Sequence, residues 1–435
     1  MRRIMLQLLL VGIALPTFAK NEPKVEKVTV AQLEQVLAAT HGRPDAKVAQ
    51  QLLNMELTER IIPARLSILK AELPGTKAQD ALMAVADLSA FLDPPQADIP
   101  ADATPDAAAL SQMMVQIAKY VIETVHQLPN FIATRDTIGF EDAPQEVVQA
   151  GAGRGVDGGV GSLYDPMRRD WISNDYQPLH VVEKSSLTVT YRDHQEVEDQ
   201  AAVKDKQRAS KLHGMVTKGE FGPILSMVVK DAIQGTIAWS HWERRTDGRV
   251  AVLHYEVPSE KSHYVVQFCC VVDKISYNDL PGGNTMFPHI FSERAAYHGE
   301  IGFDPSSGAI LHVTLEAEIR PNGPVARAGV LVEYGPVEIG GKSYVCPARS
   351  VALLVSHALQ PPTKPNLEPS YAGPATTFLN DVAFGQYHRF GAKTRIVTQD
   401  SQTPEGNGPT SFPVLAPPTV SGTSPSQPSR TPQDH

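Results

Sequence analysis

Apolar residues recur every three or four positions between residues 29 and 92, and Pro and Gly interrupt this spacing at intervals. Such spacing places apolar side chains on one face of a helix, and the interruptions mark helix ends. One predicted helix begins at Pro44 and carries apolar positions through Leu57, and Thr76 with Gln79 has the spacing of a capping box. A longer helix follows between Thr104 and Leu128. The pattern predicts a helical domain over residues 29–128.

From Phe131 onward the spacing changes to an alternation of apolar and polar residues, which is typical of strands with one buried face. Thr246-Asp247-Gly248-Arg249 and Gly340-Gly341 are tight-turn sequences that join neighbouring strands. A single helical pattern, residues 221–233, interrupts the series. We expect an α+β protein, in which a curved, half-barrel-like antiparallel β domain over 131–397 packs one helix. The predicted strands are 131–138, 181–191, 236–245, 249–257, 262–272, 295–303, 309–319, 326–339, 342–356 and 378–390.

Residues 295–319, "AAYHGEIGFDPSSGAILHVTLEAEI", show the alternation most clearly, because Asp304-Pro305-Ser306-Ser307-Gly308 has the composition of a tight reversal. One row of side chains must face the core, since burying an unpaired Glu costs more than burying an apolar residue gains. The apolar row is predicted to face inward and the polar row to be a solvated face without a catalytic role. The inward row is Ile301, Phe303, Val313 and Leu315, and the outward row is His298, Glu300, His312, Glu316 and Glu318.

The composition is that of a soluble globular protein, with 42% hydrophobic residues in a chain of 435. The net charge of −9 argues against binding to nucleic acid or to an anionic membrane surface, because both need clustered Lys and Arg. Two stretches lack large apolar residues. We expect a flexible insertion over 141–178, which contains "GAGRGVDGGVGS", and a disordered tail over 399–435.

The amino terminus has the features of a signal peptide. Arg2 and Arg3 precede an apolar run from Ile4 to Leu15, and small residues at Thr17 and Ala19 suit signal peptidase. The run is shorter than the roughly 20 residues of a membrane-spanning helix. We expect cleavage after Ala19 and export to the periplasm or the medium, with no transmembrane span in the mature chain.

Motifs that would identify an enzyme or a metal site are weak. The zinc motif HExxH, paired cysteines at zinc spacing and the nucleophile elbow GxSxG do not occur. Ser67-x-x-Lys70 lacks its partner motifs, and Gly153-x-Gly155-x-x-Gly158 lacks the strand and helix that a dinucleotide site needs. His298-x-Glu300 and His312-x-x-x-Glu316 are better explained by a wet sheet face than by a metal. We therefore expect no metal and no cofactor.

Three cysteines allow two interpretations. Cys269 and Cys270 are adjacent, so in a strand only one of them can face Cys346. A disulfide and buried thiols both remain open.

Several segments together resemble a family of exported acidobacterial proteins: "LPNFIATRDTIGFED", "GEFGPIL", "WERRTDGRVAVLHYEVP", "AYHGEIGFDPSSGAILHVTLEAE", "VEYGPVEIGGKSYVCPARS" and "FGQYHRF". The resemblance covers most of residues 30–390 and implies no catalytic residues. More loosely, the order of hairpins around one helix is similar to the outer-membrane lipoprotein-carrier fold, an incompletely closed sheet around an apolar cavity. That family has no helical domain like residues 29–128.

The leading hypothesis is a non-enzymatic envelope protein whose β domain binds an apolar ligand, such as a lipid or acyl chain, or an envelope protein partner. An exported hydrolase with a scattered site and a structural or interaction scaffold are the alternatives. The residues expected to line an apolar ligand or the core are Trp242, Tyr297, Ile301, Phe303, Val313 and Leu315.

Overall fold

The computed structural model describes residues 25–143, 147–150, 170–173, 177–197, 214–215, 217–245, 248–277, 284–320, 322–357, 371 and 375–390. Its architecture is α+β, with a ten-stranded antiparallel sheet that does not close on itself, and this confirms the predicted fold class. The predicted signal peptide, the Gly153–Gly158 motif and the tail 399–435 lie outside the described residues. In the described part of the chain, no helix combines the length and apolar character needed to cross a membrane.

Among the described residues, five α-helices and two short strands precede the large sheet. The helices are α1 (Val30–Ala38), α2 (Asp45–Leu52), α3 (Pro63–Glu72), α4 (Thr76–Leu88) and α5 (Ala107–Gln127). Strands β1 (Glu26–Val28) and β2 (Met55–Leu57) pair in parallel. The prediction of one helix from Pro44 through Leu57 is therefore wrong for its last residues, because α2 ends at Leu52 and β2 follows. Met55 and Leu57 are buried and Glu56 between them is exposed, so this triplet follows strand periodicity.

The helix caps differ from those predicted. Thr76 is the first residue of α4 rather than its cap, and the carboxylate of Asp45 accepts hydrogen bonds from the backbone N–H groups of Lys77 and Ala78. A side chain from α2 thus satisfies the free amides at the start of α4. The capping box is at α1, where Thr29 and Gln32 exchange side-chain to backbone hydrogen bonds.

The remaining strands and one helix follow. The bounds are β3 (Phe131–Ala143), β4 (Val147–Ala150), β5 (Asp170–Ser173), β6 (Gln177–Arg192), β7 (Gln195–Val197), α6 (Pro223–Gln234), β8 (Thr236–Arg245), β9 (Gly248–Val257), β10 (Val265–Tyr277), β11 (Asn284–Arg294), β12 (Ala296–Phe303), β13 (Ile310–Glu318), β14 (Val325–Ile339), β15 (Lys342–His357) and β16 (Ala375–Arg389). The large sheet has the order β7-β6-β3-β16-β15-β14-β13-β12-β9-β8, while β4-β5 and β10-β11 form separate antiparallel pairs. The hairpins predicted at 236–257, 295–319 and 326–356 are confirmed.

Six of the described strands were not predicted, namely β1, β2, β4, β5, β7 and β11. Strand β11 was not predicted, and Pro288 in its centre is the reason, since Pro removes a donor from the ladder and is tolerated only at edges. Strands β4 and β5 pair with each other inside residues 141–178, which were expected to be a flexible insertion. The last residues of β3 and the first residues of β6 also fall within that range.

One face of the sheet carries the main hydrophobic core. Helices α5 and α6 and the hairpin β10-β11 cover it, with Ile117 of α5 and Val228 of α6 fully buried against the strands. Helix α5, which the sequence assigns to the helical domain, thus packs with the sheet. Whether 29–128 and 131–397 behave as separate units stays a prediction for limited proteolysis.

The opposite face of the sheet is covered in part by the residues before α5, 26–98, which we call the helical segment. Helix α4 and the turn after it place Ala84, Ala90 and Phe91 against Leu331, Val351, Leu353 and Leu379 of the central strands. Phe91 rests on Gly329, where a Cβ atom would come within 2.6 Å of the Phe91 ring. Strands β14 and β15 are consequently buried on both faces, which accounts for their nearly continuous apolar runs. This covered face holds the candidate site, and we refer to it as the seam face.

Candidate functional site

A row of aligned positions crosses six strands on the seam face. In register order it runs from His241 (β8) through Val252 (β9), Gly302 (β12), His312 (β13) and Glu333 (β14) to Arg349 (β15). The second and third positions, Val252 and Gly302, cannot ionise, and the other four are ionisable. Since aligned residues on neighbouring strands point to the same side, the sheet itself brings these distant groups under the helical segment.

A β-bulge on β8 turns two polar residues toward the seam face. The register shifts by one between Trp239 and His241, so Ser240 is the extra residue. Trp239 and Trp242 consequently share the core face and contact edge to face, with ring centroids 4.7 Å apart. His241 and Glu243 point to the opposite side, where both are buried.

The helical segment contributes Arg60, which lies between β2 and α3. Its backbone N–H and its Nε bond to the carbonyl oxygens of Asp93 and Leu92, which fix its position. Its Nη2 bonds to Oε1 of Glu243 and lies 3.6 Å from Oε2 of Glu300. We call Arg60, His241, Glu243, Glu300 and His312 the seam cluster.

Hydrogen bonds link His241 to Glu243, and neighbouring Ser240 lies between His241 and Glu300. His241 Nε2 lies 3.0 Å from Glu243 Oε1, and Ser240 Oγ donates to Glu300 Oε1 at 3.1 Å. The His312 ring lies directly over Gly302, where a Cβ atom would be 2.1 Å from Cε1 of the ring. Only glycine at position 302 leaves room for this ring. His312 Nε2 is buried and has no hydrogen-bond partner among the described residues.

Burial and charge set the ionisation of the cluster. Burial alone would raise the pKa of Glu243, but the His241 hydrogen bond and the charge of Arg60 outweigh it and hold the pKa well below its usual range. Burial lowers the pKa of His312, and the attraction of Glu243 offsets this only in part. Glu243 and Arg60 are therefore charged at pH 7, while His312 is neutral.

A second ionic group lies at the other end of the row. Arg349 bonds to Asp87 of α4 and to Asp381 of β16, the latter at 2.8 Å, and Glu333 is 3.9 Å away. One guanidinium is thus shared by three carboxylates. Burial raises the pKa of Asp87 to about 7, and the positive charge of Arg349 only partly opposes this. Helix α4 and the sheet are joined here by charge as well as by apolar contact.

All six residues expected to line a ligand or the core lie in the main core, on the face away from the seam cluster. Their exposure is between 0% and 7%. A cavity of about 10 Å³ lies between α5, α6 and β13–β15, lined among others by Tyr120, Phe221, Leu225 and Tyr334. That volume is about enough for one water molecule.

The polar row of residues 298–318 divides into two parts. His298 and Glu318 are exposed as predicted. The prediction of a solvated face is wrong for Glu300 and His312, because the helical segment covers them. Glu316 is half-buried and forms a bidentate pair with Arg327. Sequence reasoning missed Arg60 and Glu243. The Trp239–Trp242 spacing, which breaks strict alternation, is the signal that could have revealed the bulge.

Ser67, Asp231 and Cys346, which lie outside the seam cluster, have structural explanations. Ser67 donates its hydroxyl to the Pro63 carbonyl on exposed α3, so the Ser67-x-x-Lys70 spacing is a helix-surface feature. Buried Asp231 accepts from His263 Nδ1 at 2.7 Å and from the Tyr297 hydroxyl, which anchors the β9–β10 connection to α6. Cys346 is a buried free thiol, and burial raises its pKa to about 12.

No protein-family model matches the chain, and no curated protein matches it significantly. The resemblance to exported acidobacterial proteins and to the lipoprotein-carrier fold therefore stays an expectation from the sequence. The class that the fold defines is an α+β protein with an open antiparallel sheet covered on both faces.

Proposed function

We propose that this is an exported, non-enzymatic binding protein that docks a protein partner and does not enclose a lipid or acyl chain. One observation carries the proposal. The six residues predicted to line an apolar ligand or the core pack against one another and against α5 and α6. Pockets for small ligands usually measure about 300–1,000 Å³, and the 10 Å³ between α5, α6 and the sheet is far below that.

The seam cluster gives less support to the hydrolase alternative. The side chains of Arg60, His241, Glu243 and Glu300 are no more than 17% exposed, and Arg60 pairs with both carboxylates. A hydrolase needs a cleft in which an organic substrate meets the acid and base. Burial under the helical segment is better suited to holding the segment in place.

A candidate partner surface lies on the outer side of α5. Val115 and Ile122 are 65% and 63% exposed, and their spacing of seven residues puts them on one helix face. Exposed apolar residues on one face are a common feature of docking surfaces.

Native mass spectrometry of protein purified from the exported fraction tests the proposal. We expect the mass of the polypeptide alone, beginning at Lys20. A stoichiometric amphiphile would favour the carrier hypothesis instead, and an intact Met1 would overturn export.

A photo-crosslinking residue at Ile122 then tests docking in living cells. It should give a discrete adduct of higher mass, while the same residue at exposed Lys342 should not. Equal labelling at both positions, or none at Ile122, would contradict a partner at α5.

A further inference from the structure

We propose that the seam cluster binds a divalent cation of the first transition row, best matched by Zn²⁺, through Glu243, Glu300 and His312. One oxygen from each carboxylate and one imidazole nitrogen lie within 4.8 Å of one another. Zinc bonds of about 2.0–2.2 Å place tetrahedral ligands about 3.3 Å apart. The three side chains thus need to close by about 1.5 Å at most, which small rotations about their own bonds can supply.

The donor set defines the class of ion. Two carboxylate oxygens and an imidazole nitrogen suit Zn²⁺ and Mn²⁺, whereas Ca²⁺ takes oxygen ligands almost exclusively. Neighbouring groups already orient the ligands, as outer-shell residues do in metal sites. His241 holds Glu243 at 3.0 Å, and Ser240 donates to Glu300 at 3.1 Å.

An unpartnered atom points independently to a ligand. The buried Nε2 of His312 has no hydrogen-bond partner among the described residues, and buried polar atoms are rarely left so. The ring cannot turn freely, because it lies against Gly302. A metal ion beside the two carboxylates would give this imidazole its missing interaction.

Two partly exposed imidazoles lie next to the cluster. Glu300 pairs in register with His254, and the side chains of His254 and His298 are 40% and 39% exposed on the same side of the sheet. Their rings are 6.2 Å apart, so a pair of partly exposed imidazoles lies beside Glu300 on the seam face.

Arg60 competes with a metal ion for the carboxylates of Glu243 and Glu300. Without metal, its guanidinium supplies the positive charge that Glu243 and Glu300 need. A bound dication supplies that charge itself and is repelled by Arg60, so removing Arg60 should strengthen binding. Unit charges about 4 Å apart near a protein surface interact by more than the equivalent of a tenfold change in affinity. Arg60→Met should therefore raise zinc affinity about tenfold or more.

The test is equilibrium dialysis of the purified, untagged mature chain against Zn²⁺. Elemental mass spectrometry then measures the amount of zinc bound per chain. We expect one ion per chain. His312→Gln and Glu300→Gln should each weaken binding by more than about a hundredfold, since outer-shell losses alone cost about 10–100-fold. Glu316→Gln, which alters a carboxylate on the same strand outside the cluster, is the matched control, and Ca²⁺ is the control ion.

Circular dichroism and urea titration establish that each variant is folded before its metal content is compared. Wild-type and Arg60→Met protein that both fail to bind Zn²⁺ would overturn the proposal. So would binding that survives in the folded His312→Gln, Glu300→Gln double variant, because the ion would then be held elsewhere.

Discussion

Asp87 gives the sharpest test of the ionic contacts between α4 and the sheet. Its side chain is 1% exposed, and it shares Arg349 with Asp381 and Glu333. Burial raises its pKa from 3.8 to about 7, against the opposing charge of Arg349. A carboxyl whose pKa is higher in the folded state holds its proton longer when folded. Its contribution to stability is therefore full at low pH and declines as the pH rises from about 4 to about 7.

The size of the effect follows from the two pKa values. One unit of pKa difference is worth about 1.4 kcal/mol, so the full loss for Asp87 is about 4 kcal/mol. About 2 kcal/mol of it should be lost by pH 5.5, and nearly all by pH 7. Asp87→Asn keeps the shape and cannot ionise. The free energy of unfolding of Asp87→Asn minus that of the wild type should rise by about 4 kcal/mol between pH 4 and pH 7.5.

Urea unfolding at half-unit pH steps measures this difference, and subtraction removes the contributions of His312 and other titrating groups. Asp80→Asn, on the same helix and paired with Lys184, controls for the loss of one negative charge. A difference that stays within about 1 kcal/mol across this range, or that falls as the pH rises, would show that the ion pair with Arg349 outweighs burial.

Three further substitutions test the packing. Val313→Ala, in the fully buried row of β13, should lower the free energy of unfolding by about 1–3 kcal/mol in urea titration, and an unchanged midpoint would place Val313 outside the core. Gly299→Ala should lower the free energy of unfolding by about 3 kcal/mol or more or prevent folding, because the new Cβ would lie 2.0 Å from the Thr314 carbonyl oxygen. Thermal unfolding measures this loss of stability. Thr29→Ala removes the capping box of α1 and should cost about 1 kcal/mol, seen as faster amide exchange in the first turn, whereas slower or equal exchange would refute the cap.

The strands were predictable because their information is local. Alternation and turn composition around Asp304–Gly308 define the pairing of β12 with β13, and the structure has Ile301 opposite Val313, both in the main core. The register of this pair shifts once, between Gly302 and Phe303 at the end of the ladder.

The seam cluster was not predictable from the sequence, because no local pattern encodes it. Arg60 and Glu243 are 183 residues apart and meet only when the helical segment lies on the sheet. Whether Glu300 and His312 are exposed or buried depends on which element packs on that face of the sheet. The alternation of apolar and polar residues does not indicate this. A polar row beside a glycine such as Gly302 is compatible with either outcome.

The position of β16 has a consequence for the order of folding. This last strand pairs with β15 on one side and with β3, the first strand of the large sheet, on the other, and it brings Arg389 opposite Phe131. Until residues 375–389 are in place, the sheet exists only as two pieces, β7-β6-β3 and β15 through β8, each with an unsatisfied hydrogen-bonding edge. Joining them pairs residues from the first and the last strand of the large sheet in chain order, which is a slow step for a β topology. A chain that ends before Ala375 should therefore accumulate as paired fragments that associate through those open edges, even though every turn and hairpin within each fragment is intact.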